Sequence, residues 1–134
     1  MLANLGQLIN IGIAKRITGF ENWCYRRILR IKWIDKVRNV EVLRRIGKRS
    51  FDLLTRIKKR KMAYAGHIMR GSSGEFLLNI VEGRIAGSRD RGNQRRKWSD
   101  DIKDWAKIRN YGECKRMAER REDWRNVIEN ITYT

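Results

Sequence analysis

The chain has 134 residues, 32 Lys+Arg against 15 Asp+Glu, a formal charge of +17, and 41% hydrophobic residues. That length and apolar share support one modest domain with a real core and argue against wholesale disorder. Two cysteines, Cys24 and Cys114, with a single His67, fall short of the four ligands of a structural zinc and make no disulfide scaffold.

The opening MLANLGQLINIGIA is apolar but has no basic leader region and is too short to span a bilayer. An intracellular, reducing setting, nucleus or cytoplasm, with no membrane partner, is expected. No proline interrupts the chain, so long stretches are free to be helical. After a soft N-terminal stretch, residues 20–33 (FENWCYRRILRIKW) read as a helix with Phe20, Cys24, Ile28 and Ile31 on one side. Arg26, Arg27 and Arg30 fall together on another. Asn39 is placed to cap a short helix, VEVLRRI, that Gly47 ends. Ser50 is read as the cap of a long basic helix over 51–69. There Phe51, Leu54, Ile57, Ala65, Ile68 and Met69 share an apolar arc opposite Arg56, Lys59, Arg60, His67 and Arg70. Lys58 and Lys61 fall inside that arc, where they either snorkel or face a bound phosphate.

GSSG (71–74) is a break, and EFLLNIVEG (75–83) is a short helix or a strand-like run. GSRDRGNQRRK (87–97) reads as a flexible basic loop. Ser99, followed by Asp100 and Asp101, starts another helix with acids at its positive end. A last helix from about Glu113 to Ile131 stacks Cys114, Met117, Trp124, Ile128 and Ile131 on one stripe. No repeat or heptad run emerges. The fold expected is all-α, a small helical bundle with a basic Gly-containing loop, as a fragment of a larger polyprotein.

Charge is unevenly spread: residues 21–70 hold sixteen basic residues against four acidic ones. A focused positive field favours a polyanion, so RNA or DNA held through phosphate contacts is the expected partner. Trp23 precedes Arg26 and Arg27 by three and four residues, a spacing that lets an indole stack under a guanidinium. A core tryptophan with basic neighbours is the reading preferred for it. In the basic loop, Gly87 and Gly92 let backbone approach a ligand, and Arg89, Arg91, Arg95, Arg96 and Lys97 suit phosphate. KKRK (58–61) is too short a run to identify a nuclear-localisation patch. Neither a Walker A loop nor a dinucleotide fingerprint is present. Asp100 and Asp101 are read as helix-start acids in preference to metal ligands. His67 has no neighbouring cysteine or carboxylate in sequence, so it packs or touches a phosphate. No catalytic residue, metal or cofactor is assigned.

Four stretches resemble, in order, the region after the polymerase core in non-LTR retrotransposon endonuclease–reverse transcriptases of the jockey-like and RTE-like groups. They are FENWCYRRILRIKWIDKVRNVEVLRRI (20–46), KKRKMAYAGHIMR (58–70), LNIVEGRIAGSRDRGNQRRKWSDDIKDW (78–105) and RMAERREDWRNVI (116–128). Trp23, Cys24, Arg26 and Arg27 match the family's tryptophan–cysteine–aromatic–arginine–arginine pattern, and Gly66 and His67 its glycine–histidine pair. Gly87, Arg89, Arg91, Gly92, Arg95 and Trp98 match its basic glycine loop and tryptophan, and Asp101, Ile102 and Trp105 the helix that follows. Ser88 and Asn93 stand where relatives commonly have basic residues.

The resemblance covers residues 17–131, leaving 1–16 as a non-family extension and 132–134 as a tail. It implies a thumb-like and post-thumb segment that holds template, primer or element RNA. The family's aromatic–x–Asp–Asp polymerase signature and its endonuclease acids and histidines are absent from this sequence. The expectation is therefore a nucleic-acid-binding fragment that is not an enzyme by itself, with the rest of a reverse transcriptase as a further partner. The alternative is an inactive structural remnant that only packs against the missing polymerase core. The candidate nucleic-acid-binding residues are Arg26, Arg27, Arg30, Lys59, Arg60, His67, Arg89, Arg91, Arg95 and Arg96.

Overall fold

The computed structural model describes residues 5–83 and 98–131, with side chains from residue 11 onward. Among the described residues there are seven α-helices and no strand, so the all-α expectation holds. The chain divides into two compact units, Met1–Arg56 and Ile57–Thr134. The basic loop expected over 87–97 lies outside the described residues.

In the first unit, α1 spans Leu5–Ile28 and therefore begins well before the expected Phe20. It also ends five residues before the expected Trp33. Arg30 turns left-handed at φ 55, the Ile31 amide donates back to the Arg26 carbonyl at 2.9 Å, and the Arg30 amide donates to that of Arg27 at 3.2 Å. This is the pairing that usually terminates a helix at glycine, and here an arginine supports it. A 3₁₀ turn, Trp33–Asp35, follows, then α2 over Asn39–Ile46, which Gly47 ends at φ 81. Asn39 is not the cap: its side-chain oxygen accepts from Asn22 Nδ2 at 3.0 Å and Arg26 Nη2 at 2.9 Å.

The third helix, α3 (Leu53–Met69), starts later than the expected Ser50 cap implies. Its first amides are satisfied from another helix: the Asp52 N–H donates to Glu21 Oε1 at 3.1 Å and the Leu53 N–H to Glu21 Oε2 at 3.0 Å. Tyr25 Oη donates to the same carboxylate at 2.6 Å. Glu21 is only 4% exposed, so its charge is neutralised by amides at a positive helix end instead of by water. The only buried large aliphatics of this unit among the described residues are Val42 and Leu43.

In the second unit, α3 continues and is followed by α4 (Glu75–Glu82), α5 (Trp98–Ala106), α6 (Tyr111–Glu119) and α7 (Arg121–Glu129). EFLLNIVE is thus helical, flanked by Gly74 at φ 96 and Gly83 at φ 72. The expected single helix from Glu113 to Ile131 is broken at Arg120, whose φ −90 and ψ 100 are extended. A straight helix would set Ala118 about 120° from Trp124. The break lets both enter one core, with Met62, Ala65, Met69, Ile102, Cys114 and Ile131. Burial in that core pushes the Cys114 thiol up to about 11.

Candidate nucleic-acid interface

The basic residues of the first unit sort by what they face. Arg26 is a brace: its Nη2 donates to the Val37 carbonyl at 2.8 Å and to Asn39, and its Nε to Asn22 Oδ1 at 3.2 Å. Neutral acceptors inside the unit therefore occupy a guanidinium expected to meet phosphate. Arg44 and Arg45 share Glu41, at 2.7 and 2.9 Å, and Lys48 and Arg56 share Asp52, at 2.7 and 3.3 Å. The two guanidiniums beside Glu41 hold its carboxyl down to about 2. The Lys48 ammonium likewise lowers the Asp52 pKa, and the pairing raises that of Lys48.

That leaves the unit's four acids, Glu21, Asp35, Glu41 and Asp52, all engaged internally, since Asp35 Oδ2 accepts the Lys32 backbone N–H at 2.7 Å. Arg27, Arg30, Lys32, Lys36 and Arg38 are exposed and have no carboxylate partner among the described residues. The Arg27 guanidinium lies 5.1 Å from the Trp23 ring centre, and Phe20 stacks on the same indole, with ring centres 6.2 Å apart and planes at 21°. Trp23 is 55% exposed, so it is not the core tryptophan expected. Phe20 and Ile28, expected on one side of the helix, are exposed as well. The reason is the small core of this unit: α2 offers only Val42 and Leu43 for burial, and Glu21 with Tyr25 occupies the inner side of α1 with polar contacts.

In the second unit, Arg60 and His67 lie exposed on α3, with exposed Tyr64 on the same stretch. Lys59 reaches Glu129 at 3.7 Å, a loose surface pair. Arg70, expected on the polar face, turns inward: its Nη1 donates to the Ala118 carbonyl at 2.7 Å, satisfying the end of α6. Burial, then the nearby Arg121 charge, lowers its pKa from the ordinary value.

Lys61 resolves the conflict in the apolar arc. Its ammonium pairs with Asp101 Oδ2 at 2.5 Å and sits 5.2 Å and 5.1 Å from the ring centres of Trp98 and Trp105. Lys58 lies 5.7 Å from the Trp105 ring. The phosphate alternative for Lys61 gives way to this internal cage, because an acid and two indole faces already surround its charge. Asp100 pairs with Lys103 at 3.3 Å, and the described residues hold no cluster of His, Cys, Asp and Glu suited to a metal. The Gly66–His67 pair is structural at its first member: a Cβ there would meet Trp124 Nε1 at 2.3 Å.

Of the ten candidate residues, Arg27 and Arg30 are both exposed, at and just past the end of α1, and Lys59, Arg60 and His67 share α3. Arg26 is half-buried and tied to Asn22, Val37 and Asn39, and Arg89, Arg91, Arg95 and Arg96 lie outside the described residues. Sequence reasoning missed the turn between α1 and α2, where Lys32, Trp33, Lys36 and Arg38 stand exposed. Its signal was Lys32 followed three residues later by Asp35, the spacing of a capped turn. No helix among the described residues is long and apolar enough to cross a membrane. Comparison with protein-family models, curated proteins and solved structures finds no match for this chain.

Proposed function

We propose that this chain is a sequence-tolerant nucleic-acid-binding region of a non-LTR retrotransposon reverse transcriptase, carrying neither its polymerase nor its endonuclease site. One observation carries the binding reading: every acid of the first unit takes an internal hydrogen bond or ion pair, while Arg27, Arg30, Lys32, Lys36 and Arg38 are exposed with no carboxylate partner among the described residues. Such a field attracts phosphates without selecting bases. The attribution to the retrotransposon region rests on the four ordered sequence stretches described above.

The test is a salt titration. With about five phosphates engaged on duplex DNA, log affinity against log salt has a slope near −4.5, and a shallower one on single strands. The double variant Arg27→Ala, Arg30→Ala should weaken all sequences alike and reduce the slope by about 2. No binding at low salt, or a flat response, rejects the reading. Primer extension on an RNA template with magnesium is expected to give no product.

A second reading, a structural piece that packs on a missing polymerase core, is favoured by a different observation. Ile11, Ile13, Phe20, Trp23, Ile28, Trp33, Ile34 and Val40 of the first unit are all exposed, an unusual apolar display for a self-sufficient domain. It predicts self-association that persists in high salt, in a protein that fails to retain oligonucleotide.

A further inference from the structure

The turn between α1 and α2 is held at both ends. Upstream, Arg30 takes the left-handed conformation at φ 55 and closes α1. Downstream, Arg26 on α1 clasps the Val37 carbonyl at 2.8 Å. Between them the Asp35 carboxylate accepts the Lys32 amide at 2.7 Å, the Asp35 amide donates to the Lys32 carbonyl at 3.0 Å, and Lys36, left-handed at φ 51, donates to the Trp33 carbonyl at 3.2 Å. Two non-glycine residues in a disfavoured backbone region within seven positions mark a conformation maintained against local preference.

What this clamped turn presents is Trp33, 88% exposed. Neither a ring nor a cation stacks on it among the described residues, in contrast to Trp23, which Arg27 covers, and to Trp98 and Trp105 at Lys61. Arg30, Lys32, Lys36 and Arg38 surround it in sequence, and the single acid there, Asp35, is spent on the turn itself.

From this we infer that Trp33 is a base-stacking platform, taking an unpaired base of single-stranded RNA or DNA on its open indole face while the neighbouring cations hold the flanking phosphates. This rests on the nucleic-acid-binding reading and deepens it by naming the strand form. A free π-face beside backbone-tracking cations is the combination that single-strand binders use, and it tolerates any base. Pre-setting the turn lowers the ordering cost of binding. A paired base in a duplex offers no such face, so the platform discriminates strand form and not sequence. An anionic membrane is the less suited partner: beside Trp33 only Ile34 adds exposed apolar surface within the turn, and interfacial segments rely on a wide apolar face.

The experiment compares a mixed-sequence 15-nucleotide single strand with a 15-base-pair duplex, each labelled and titrated by fluorescence anisotropy at low salt. Trp33→Ala should weaken single-strand binding about 10-fold, within the range stacking contributes, and leave duplex affinity within about twofold. Trp33→Phe should recover most of the loss. Because Trp33 is 88% exposed, helicity by circular dichroism should be unchanged in both variants. Equal loss on both ligands, or no loss on either, overturns the platform while leaving phosphate binding intact. Absence of binding to either ligand by the unmodified protein overturns both. A Trp33-dependent partition onto phosphatidylserine vesicles with oligonucleotide binding untouched overturns the platform in favour of a membrane contact.

Discussion

The indole of Trp124 occupies the space in which Gly66 would carry a side chain: Nε1 lies 2.3 Å from where a Cβ would sit and donates to the Met62 carbonyl at 2.8 Å, one turn back along α3. The glycine thus opens a notch in α3, and α7 fills it with the largest buried side chain of the core. Gly66→Ala forces the indole out of the notch and is expected to destabilise the protein by about 1–3 kcal/mol. Gly19→Ala is the control, because it lies in α1 with nothing within 4 Å. It should stabilise by about 0.5–1 kcal/mol through helix propensity. Denaturant melts of the two variants read the opposite signs directly.

Glu21 should matter for folding of the first unit far more than an exposed acid would. Glu21→Ala strips two amides at the start of α3 and the Tyr25 hydroxyl of their acceptor. Leaving such half-buried donors unsatisfied costs about 1–3 kcal/mol. Glu21→Gln keeps one acceptor oxygen and should fall between. Urea midpoints with unchanged m-values are the measurement, and equal stability of all three proteins would contradict the capping role.

The acid limb of stability has a direction set by Asp52. Its folded pKa lies below the ordinary value, first because Lys48 pairs with it at 2.7 Å. A depressed carboxylate contributes stability that is fully present above the unfolded value, about 3.9, and is lost as pH falls through the folded one. Stability should therefore drop as pH falls below about 4, and Asp52→Asn should flatten that drop while lowering stability at pH 7. Glu41, held to about 2 by Arg44 and Arg45, adds to the same limb. That surface contribution should shrink in high salt.

Lys61 separates a structural cation from a binding one. Lys61→Met keeps the apolar stem between Trp98 and Trp105 but removes the pair with Asp101. A double-mutant cycle with Asp101→Asn should give a coupling of about 1 kcal/mol in stability. Oligonucleotide affinity should stay within about twofold. A larger loss of affinity than of stability would return Lys61 to the phosphate-contacting set.

Much of this was readable residue by residue, and the failures have specific causes. The all-α class followed from the missing prolines and the 3.6-residue spacing, and Gly47 ends α2 as its position required. The end of α1 was hidden because Arg30 plays the part a glycine usually signals, and Lys107 does the same after α5 at φ 58. The start of α3 was misplaced because its cap is Glu21, thirty-two residues away from Leu53. No local pattern announces a partner that distant.

The sequence by itself determined the sign and concentration of charge, the helical class and the residue types able to meet phosphate, because these depend on composition and on a period that every helix shares. Only the tertiary structure decided which cations are spent. Arg26 and Arg70 serve backbone carbonyls and Lys61 serves an acid between two indoles, while Arg27 and Arg30 remain open to solvent. Whether a guanidinium meets a carbonyl, a carboxylate or water depends on what the fold brings within about 3 Å of it, and that distance is a property of packing between helices that no single helix encodes.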